Sequence, residues 1–167
     1  LNWHTGMDEY IAAKAKILDG CGRAVLNYDD ENCRNLASRA ENEILWFSRS
    51  ELPAELDGAF MRNGEIVMRY KGEETFIIKT ADILLPGEHN AENYATAVAA
   101  TWGRATVEAI RKVATEFGGV KHRLQLIRRD GGISYYNSSI DSSPTRTAAA
   151  ISALDCPINI ICGGYDK

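Results

Sequence analysis

The dipeptide Asn63-Gly64 constrains this chain more than any other feature. Both residues tolerate positive φ, which the two-residue turns that match the twist of paired strands require. The flanking segments, 59–62 and 66–70, are rich in apolar residues and read as the two arms of a hairpin. Lys71-Gly72 supplies a second turn, and residues 75–78 read as a third strand. An antiparallel meander is therefore expected in the middle of the chain.

The flanking sequence has a different rhythm. Met7, Tyr10, Ile11, Lys14, Ile17 and Leu18 recur at spacings of three and four, so 7–18 reads as a helix with these residues on one face. Segments 23–27 and 44–47 read as short strands, separated by a helix that opens at Asp29-Asp30 and runs to about residue 40. Pro86-Gly87 ends the meander. A helix then starts at Asn90 and carries Ala91, Tyr94, Ala95, Val98 and Trp102 on one face, and a further helix covers 105–117. The expected class is α/β, with the meander making the sheet mixed. Gly118-Gly119 breaks the last helix and marks a boundary between units 1–119 and 120–167.

In the second unit, strands are expected at 124–128 and 133–137, around Asp130-Gly131-Gly132. A polar loop follows, then a helix to residue 154 with Ser143 as cap and Pro144 at its first position. The apolar run 158–162 reads as a strand ending in Gly163-Gly164. Strand, helix, strand is a βαβ unit, so 133–137 and 158–162 should be parallel. Their carboxyl ends would then share the sheet edge where open α/β folds bind ligands.

Composition narrows the function classes. With 167 residues, 45% of them hydrophobic and 25% charged, the chain fits one globular domain or one and a fraction, and is too apolar for disorder. The net charge is −4, and the densest basic cluster, Lys121-His122-Arg123 with Arg128-Arg129, is short, which argues against a nucleic-acid polymer as partner. Cys21, Cys33, Cys156 and Cys162 form no C-x-x-C pair and read as free thiols of a reducing cytoplasm. No apolar run reaches the ~18 residues of a membrane span. The chain begins Leu1-Asn2-Trp3-His4 and ends at Lys167 just after an apolar run, so both ends read as cuts through a longer protein.

Several residues could carry chemistry. Lys14 lies on the apolar stripe of the first helix, where an ammonium group must be paired, neutralised or led past the apolar face to water. Asn90 and Asn93 sit in the first turn of a helix. Asn90 is either its N-cap or one of two amides that offer donor and acceptor edges to a ligand such as a base. Arg123 on the expected linker is a solvated cation or a fork for phosphate oxygens. The loop Asn137-Ser138-Ser139-Ile140-Asp141-Ser142-Ser143 leads into a helix N-terminus, which favours an anion. Gly163-Gly164 permits close backbone approach, and Lys167 would add positive charge beside it.

The order of these motifs resembles the Mur ligase family. The matching residues are Tyr10-Ile11-Ala12-Ala13-Lys14-Ala15-Lys16-Ile17, Gly87-Glu88-His89-Asn90 with Asn93, His122-Arg123-Leu124-Gln125, Asn137-Ser138-Ser139, and Gly163-Gly164-Tyr165-Asp166-Lys167. The last run is most similar to the branch that adds D-glutamate. The resemblance implies an ATP-dependent amide ligase of peptidoglycan precursor synthesis. Its partners would be UDP-N-acetylmuramoyl-L-alanine, D-glutamate and ATP, with Mg²⁺. This chain would hold the second half of a central ATPase domain and the start of a Rossmann-like C-terminal domain.

The resemblance also implies roles. Lys14 corresponds to a lysine that becomes a metal ligand on carbamylation. Asn90, Asn93 and Arg123 correspond to nucleotide contacts, and Ser142 and Lys167 to D-glutamate contacts. Ser138 stands where the family often has a ribose-binding Asp, and Ile140 where it has Lys, so Asp141 is the candidate replacement for the lost carboxylate. Gln125 replaces a frequent Glu. The family's metal-binding His would precede Leu1, which excludes His4 from that role. No G-x-x-x-x-G-K-[ST] occurs in these residues. The rival expectations are another Mur ligase, a folylpolyglutamate synthase, or a non-catalytic module of the same fold.

Overall fold

The structure is a computed structural model that describes residues 4–163. Helix α1 (Met7–Ala15) leads through a 3-10 turn into β1 (Arg23–Asn27), and α2 (Glu31–Ala37) connects β1 to β2 (Glu43–Ser48). Residues 49–57 cross without a helix to β3 (Gly58–Arg62), which is followed by β4 (Glu65–Tyr70) and β5 (Glu73–Lys79). Two helices follow, α3 (Glu88–Thr101) and α4 (Val107–Glu116).

The five strands lie side by side in chain order. β1, β2 and β3 are parallel, because α2 and the long crossover each return the chain to the same end of the sheet. β3, β4 and β5 are antiparallel, because their connections are two-residue turns. Asn63 and Gly64 take φ of 53° and 75°, and Lys71 and Gly72 take 54° and 79°. The expected meander and mixed sheet are both present.

Alternation along the strands divides two cores. Leu45, Ala59, Ile66 and Met68 face α3 and α4 and pack with Ala95, Val98, Ala99, Ile110 and Ala114. Ala91, Ala95 and Ala99 fall one turn apart and are buried, so α3 approaches the sheet closely through small side chains. Tyr94 ties α3 to α4 by donating its hydroxyl to the carbonyl of Ile110 at 2.5 Å, and burial pushes its phenol pKa up to about 12. On the opposite face Trp46, Phe60 and Val67 pack beneath Leu52 and Leu56 of the crossover. Burial of a side chain such as Phe60 or Leu45 stabilises the sheet by roughly 1.5–3 kcal/mol.

The crossover is held down by Arg69, which is 6% exposed. It donates to the carbonyls of Leu52 (3.2 Å) and Pro53 (2.8 Å) and to Glu74 (2.8 Å). Arg62, followed by Arg69, holds the Glu74 carboxyl below its ordinary pKa.

After α4 comes the hairpin of β6 (Gln125–Asp130) and β7 (Ile133–Asn137), turned by Gly131 and Gly132 at φ of 55° and 81°. Helix α5 (Pro144–Ser152) follows, with Ser143 as N-cap and Pro144 at its start, as expected. The expected strand at 158–162 does not form. Residues 158–163 carry no strand and pair with no part of β7, and Ile161 is fully exposed. A parallel strand is stable when helices cover both faces of its sheet. The two-stranded ribbon β6–β7 offers no such surface, and a ribbon of that size is itself marginal.

Candidate functional site

The parallel part of the sheet ends in a row of polar residues. Asn27 closes β1 and Ser48 closes β2. Ser48 donates its hydroxyl to Asp29 Oδ1 at 2.8 Å, and the Arg49 backbone N–H donates to Asp29 Oδ2 at 2.9 Å. Asp29 in turn donates its backbone N–H to Asn27 Oδ1 at 2.9 Å. The first turns of α3 lie against this edge. Arg49 donates to Glu92 Oε2 through Nε (2.8 Å) and a terminal nitrogen (2.5 Å), and Asn27 Nδ2 donates to Glu92 Oε1 at 3.4 Å. The Glu92 carboxylate raises the pKa of the Arg49 guanidinium.

Gly87 fixes how the chain enters α3. It is the N-cap residue, at φ 101°, and a Cβ there would lie 2.7 Å from the Ala153 Cβ and 2.9 Å from His89 Cε1. Asn90 therefore is not the N-cap. It lies inside the first turn, and its amide donates back to the carbonyl of Pro86 at 2.7 Å. Asn93 is exposed. The two amides thus lie on a helix start beside the carboxyl edge of the parallel strands, where ligands bind in open α/β sheets.

The linker and the loop after β7 form a second cluster. His122 and Leu124 adopt left-handed backbone, with φ of 67° and 41°. The Leu124 N–H donates to Ser138 Oγ at 2.9 Å, and Ser138 donates its hydroxyl to Asp141 Oδ2 at 2.5 Å. Asn137 Nδ2 lies 3.0 Å from His122 Nδ1. Arg123 is exposed beside this cluster. Hydrogen bonds thus link Leu124, Ser138 and Asp141, while the Arg123 side chain lies exposed next to them in sequence. Ser142 is exposed, two residues before α5.

Lys14 departs from expectation in its surroundings. Helix α1 buries no residue, so its apolar stripe faces no core among the described residues. Lys14 is exposed, with Nζ 5.6 Å from the centre of the Tyr10 ring. No hydrogen bond or ion pair joins it to the strand edge among the described residues. Lys167 and Gly164 lie outside the described residues.

A sequence pattern described as the Mur ligase middle domain matches residues 1–101. The chain belongs to the Mur ligase family. Curated relatives match along its whole length. A protein of Acetivibrio thermocellus named UDP-N-acetylmuramoylalanine--D-glutamate ligase is 41% identical over 170 residues, covering 100% of this chain and 36% of that protein. One of Ruminiclostridium cellulolyticum with the same name is 39% identical, with the same coverage. The chain therefore spans little more than a third of the Mur ligases it matches. Among solved structures, MurF from Acinetobacter baumannii superposes with a TM-score of 0.64 at 21% identity, over 89% of this chain and 33% of that one. That likeness shows that the fold is shared with Mur ligases.

Among the described residues, no three His, Cys, Asp or Glu side chains are grouped to hold a metal ion. A divalent ion held by such a group would need ligands from outside the described residues. Asn90 and Asn93 lie beside the carboxyl edge of the parallel strands, and two amides there suit a nucleotide base. Sequence reasoning missed Asn27, Asp29, Ser48, Arg49 and Glu92. The available signal was polar residues directly after two expected parallel strands, 23–27 and 44–47. Among the described residues, no helix is long and apolar enough to cross a membrane.

Proposed function

We propose that this chain is the nucleotide-binding part of a cytoplasmic ligase that joins D-glutamate to UDP-N-acetylmuramoyl-L-alanine at the expense of ATP. The observation that carries this reading is identity near 40% along the entire chain to proteins named for that reaction. The geometry supports it, with two amides on a helix start at the carboxyl edge of a parallel sheet.

The reaction makes an amide between the L-alanine carboxyl and the D-glutamate amine through an acyl phosphate, with ADP and phosphate as the other products. Asn90 and Asn93 would hold the base, and Arg123 would contact the nucleotide from the linker. Ser138 and Asp141 would take the ribose. Asp141 accepts from Ser138, which supports reading its carboxylate as the replacement for the one that Ser138 lacks. Ser142 and Lys167 would bind D-glutamate. Charge neutralisation and positioning would lower the barrier. Lys14, once carbamylated, would be one ligand of the Mg²⁺ that such ligases use. That ion supplies electrostatic stabilisation of transferring phosphate.

The full-length protein should therefore form the amide with ATP, D-glutamate and the UDP-sugar, as followed by phosphate release and product chromatography. The 167-residue chain alone should release no phosphate above a boiled control, because it contains no P-loop. Absence of ligation by the full-length protein, with ligation of another amino acid instead, would move it to a different branch of the family.

Lys167 gives a second expectation. Replacing Lys167 by alanine in the full-length protein should raise KM for D-glutamate about tenfold to a hundredfold, because a charge-assisted hydrogen bond to a carboxylate is lost. KM for ATP should change little. Equal rises in both constants would assign Lys167 to the phosphoryl group or to folding.

A further inference from the structure

We infer that the Arg49–Glu92 ion pair is a positioning device that sets the nucleotide-binding end of α3 against the sheet. The inference rests on the proposed nucleotide site, and goes beyond it by naming what fixes that site's geometry. Glu92 lies in the same turn as Asn90 and Asn93. Its side chain is 17% exposed and points to the strand edge, while Asn93 is exposed. Rotation of 100° per residue explains the split, since 92 and 93 cannot face the same way.

Glu92 is the residue of this turn that both adjacent parallel strands hold. Asn27 at the end of β1 reaches one carboxylate oxygen, and Arg49 at the end of β2 reaches the other through two nitrogens. Arg49 is itself fixed, because Asp29 accepts its backbone N–H and the Ser48 hydroxyl. The turn has few other anchors. The N-cap residue is a glycine with no side-chain cap, and the Asn90 side chain bonds only back to Pro86 among the described residues. Two guanidinium donors on one carboxylate oxygen, with the Asn27 amide on the other, hold the Glu92 carboxylate from two sides. Loss of the pair would leave this turn seated through the buried Ala91, a small apolar contact that does not fix its orientation. Small misplacements of binding groups are costly, since a shift of about 1 Å can cost on the order of a hundredfold.

The test uses the full-length protein with Arg49→Ala, Glu92→Ala and the exchanged pair Arg49→Glu/Glu92→Arg. ATP binding is measured by calorimetry, KM for D-glutamate by ligation, and stability by thermal unfolding. Each single variant should weaken ATP binding about tenfold or more. KM for D-glutamate should stay within about twofold, and the exchanged pair should recover most of the affinity. Recovery would also exclude a direct contact with phosphate, which a glutamate at position 49 could not make.

Three results would overturn the inference. One is unchanged ATP affinity in both single variants. Another is loss in Arg49→Ala alone with Glu92→Ala at the wild-type level, which would make Arg49 a direct ligand. The third is an equal loss for every substrate with a lowered melting temperature and no recovery on exchange, which would make the pair structural only. A wild-type protein that neither binds ATP nor ligates would instead refute the proposed function, and the inference with it.

Discussion

Replacing Lys14 by alanine in the full-length protein should reduce ligation by about a hundred- to a thousandfold, the scale on which a charge-stabilising group at a phosphoryl-transfer site acts. Lys14 stands in the stretch that resembles the family's carbamylated lysine. Carbamylation joins the neutral side-chain amine to carbon dioxide through a new N–C bond; counted from the ammonium form it releases two protons, turning a cation into an anion. The reaction needs an accessible amine, and Lys14 is exposed on α1. A short-chain carboxylate such as acetate should restore part of the activity of Lys14→Ala, because it supplies a similar anion. Lys14→Arg should stay inactive, since guanidinium keeps its positive charge. Full activity of Lys14→Ala without additives would return this residue to the solvated surface of a helix that buries nothing among the described residues.

Gly58→Ala should have the largest effect on folding. Gly58 opens β3 and lies opposite Trp46 in the β2–β3 pairing. An added Cβ would sit 2.1 Å from the Trp46 carbonyl oxygen and 2.7 Å from its backbone nitrogen. Backbone in the middle of a sheet cannot give way as a flexible side chain can. The substitution should cost about 3 kcal/mol or more, at the upper end of overpacking in a core. Gly103→Ala is the control, because Gly103 has φ 78° but nothing within 4 Å of an added Cβ. It should cost only left-handed strain, about 1–2 kcal/mol. Urea unfolding monitored at the tryptophans would separate them. Equal midpoints for the two variants would show that the strands can part to admit a methyl group.

Much of this fold was legible because its signals are local. Asn63-Gly64 and Lys71-Gly72 carry their turn conformations within two residues, and the apolar segments beside them marked the strands. The helix start at Ser143 was equally local. The strand expected at 158–162 failed because an apolar run says only that burial is needed. The surface that would provide it comes from other parts of a chain, and none of the described residues supply one. The apolar stripe that carries Lys14 meets the same limit, since periodicity defines a face without naming what covers it.

The candidate site was legible where one segment carries it, as at Gly87-Glu88-His89-Asn90 and the 137–143 loop. The edge cluster was not. Asn27, Ser48, Arg49 and Glu92 come from three elements separated by up to 65 residues, and their meeting depends on which strands pair. Ser138 and Asp141 were readable as neighbours, but the left-handed turns at His122 and Leu124 that bring the linker onto them were not. Leucine seldom adopts that conformation, so nothing at Leu124 signals it.

The strict chain order of the sheet bears on how this region assembles during synthesis. Each strand adds to the edge left by the one before it, so no strand waits for a distant partner, and short closures of this kind favour fast folding. Once Lys79 has left the ribosome, all five strands are available. The face formed by Leu45, Ala59, Ile66 and Met68 still lacks its cover until α3 and α4 follow. At ordinary translation rates of about 5–20 residues per second, that apolar face stays uncovered for a few seconds on every nascent chain. Chaperone capture and aggregation during synthesis should therefore concentrate in the interval between the fifth strand and the fourth helix.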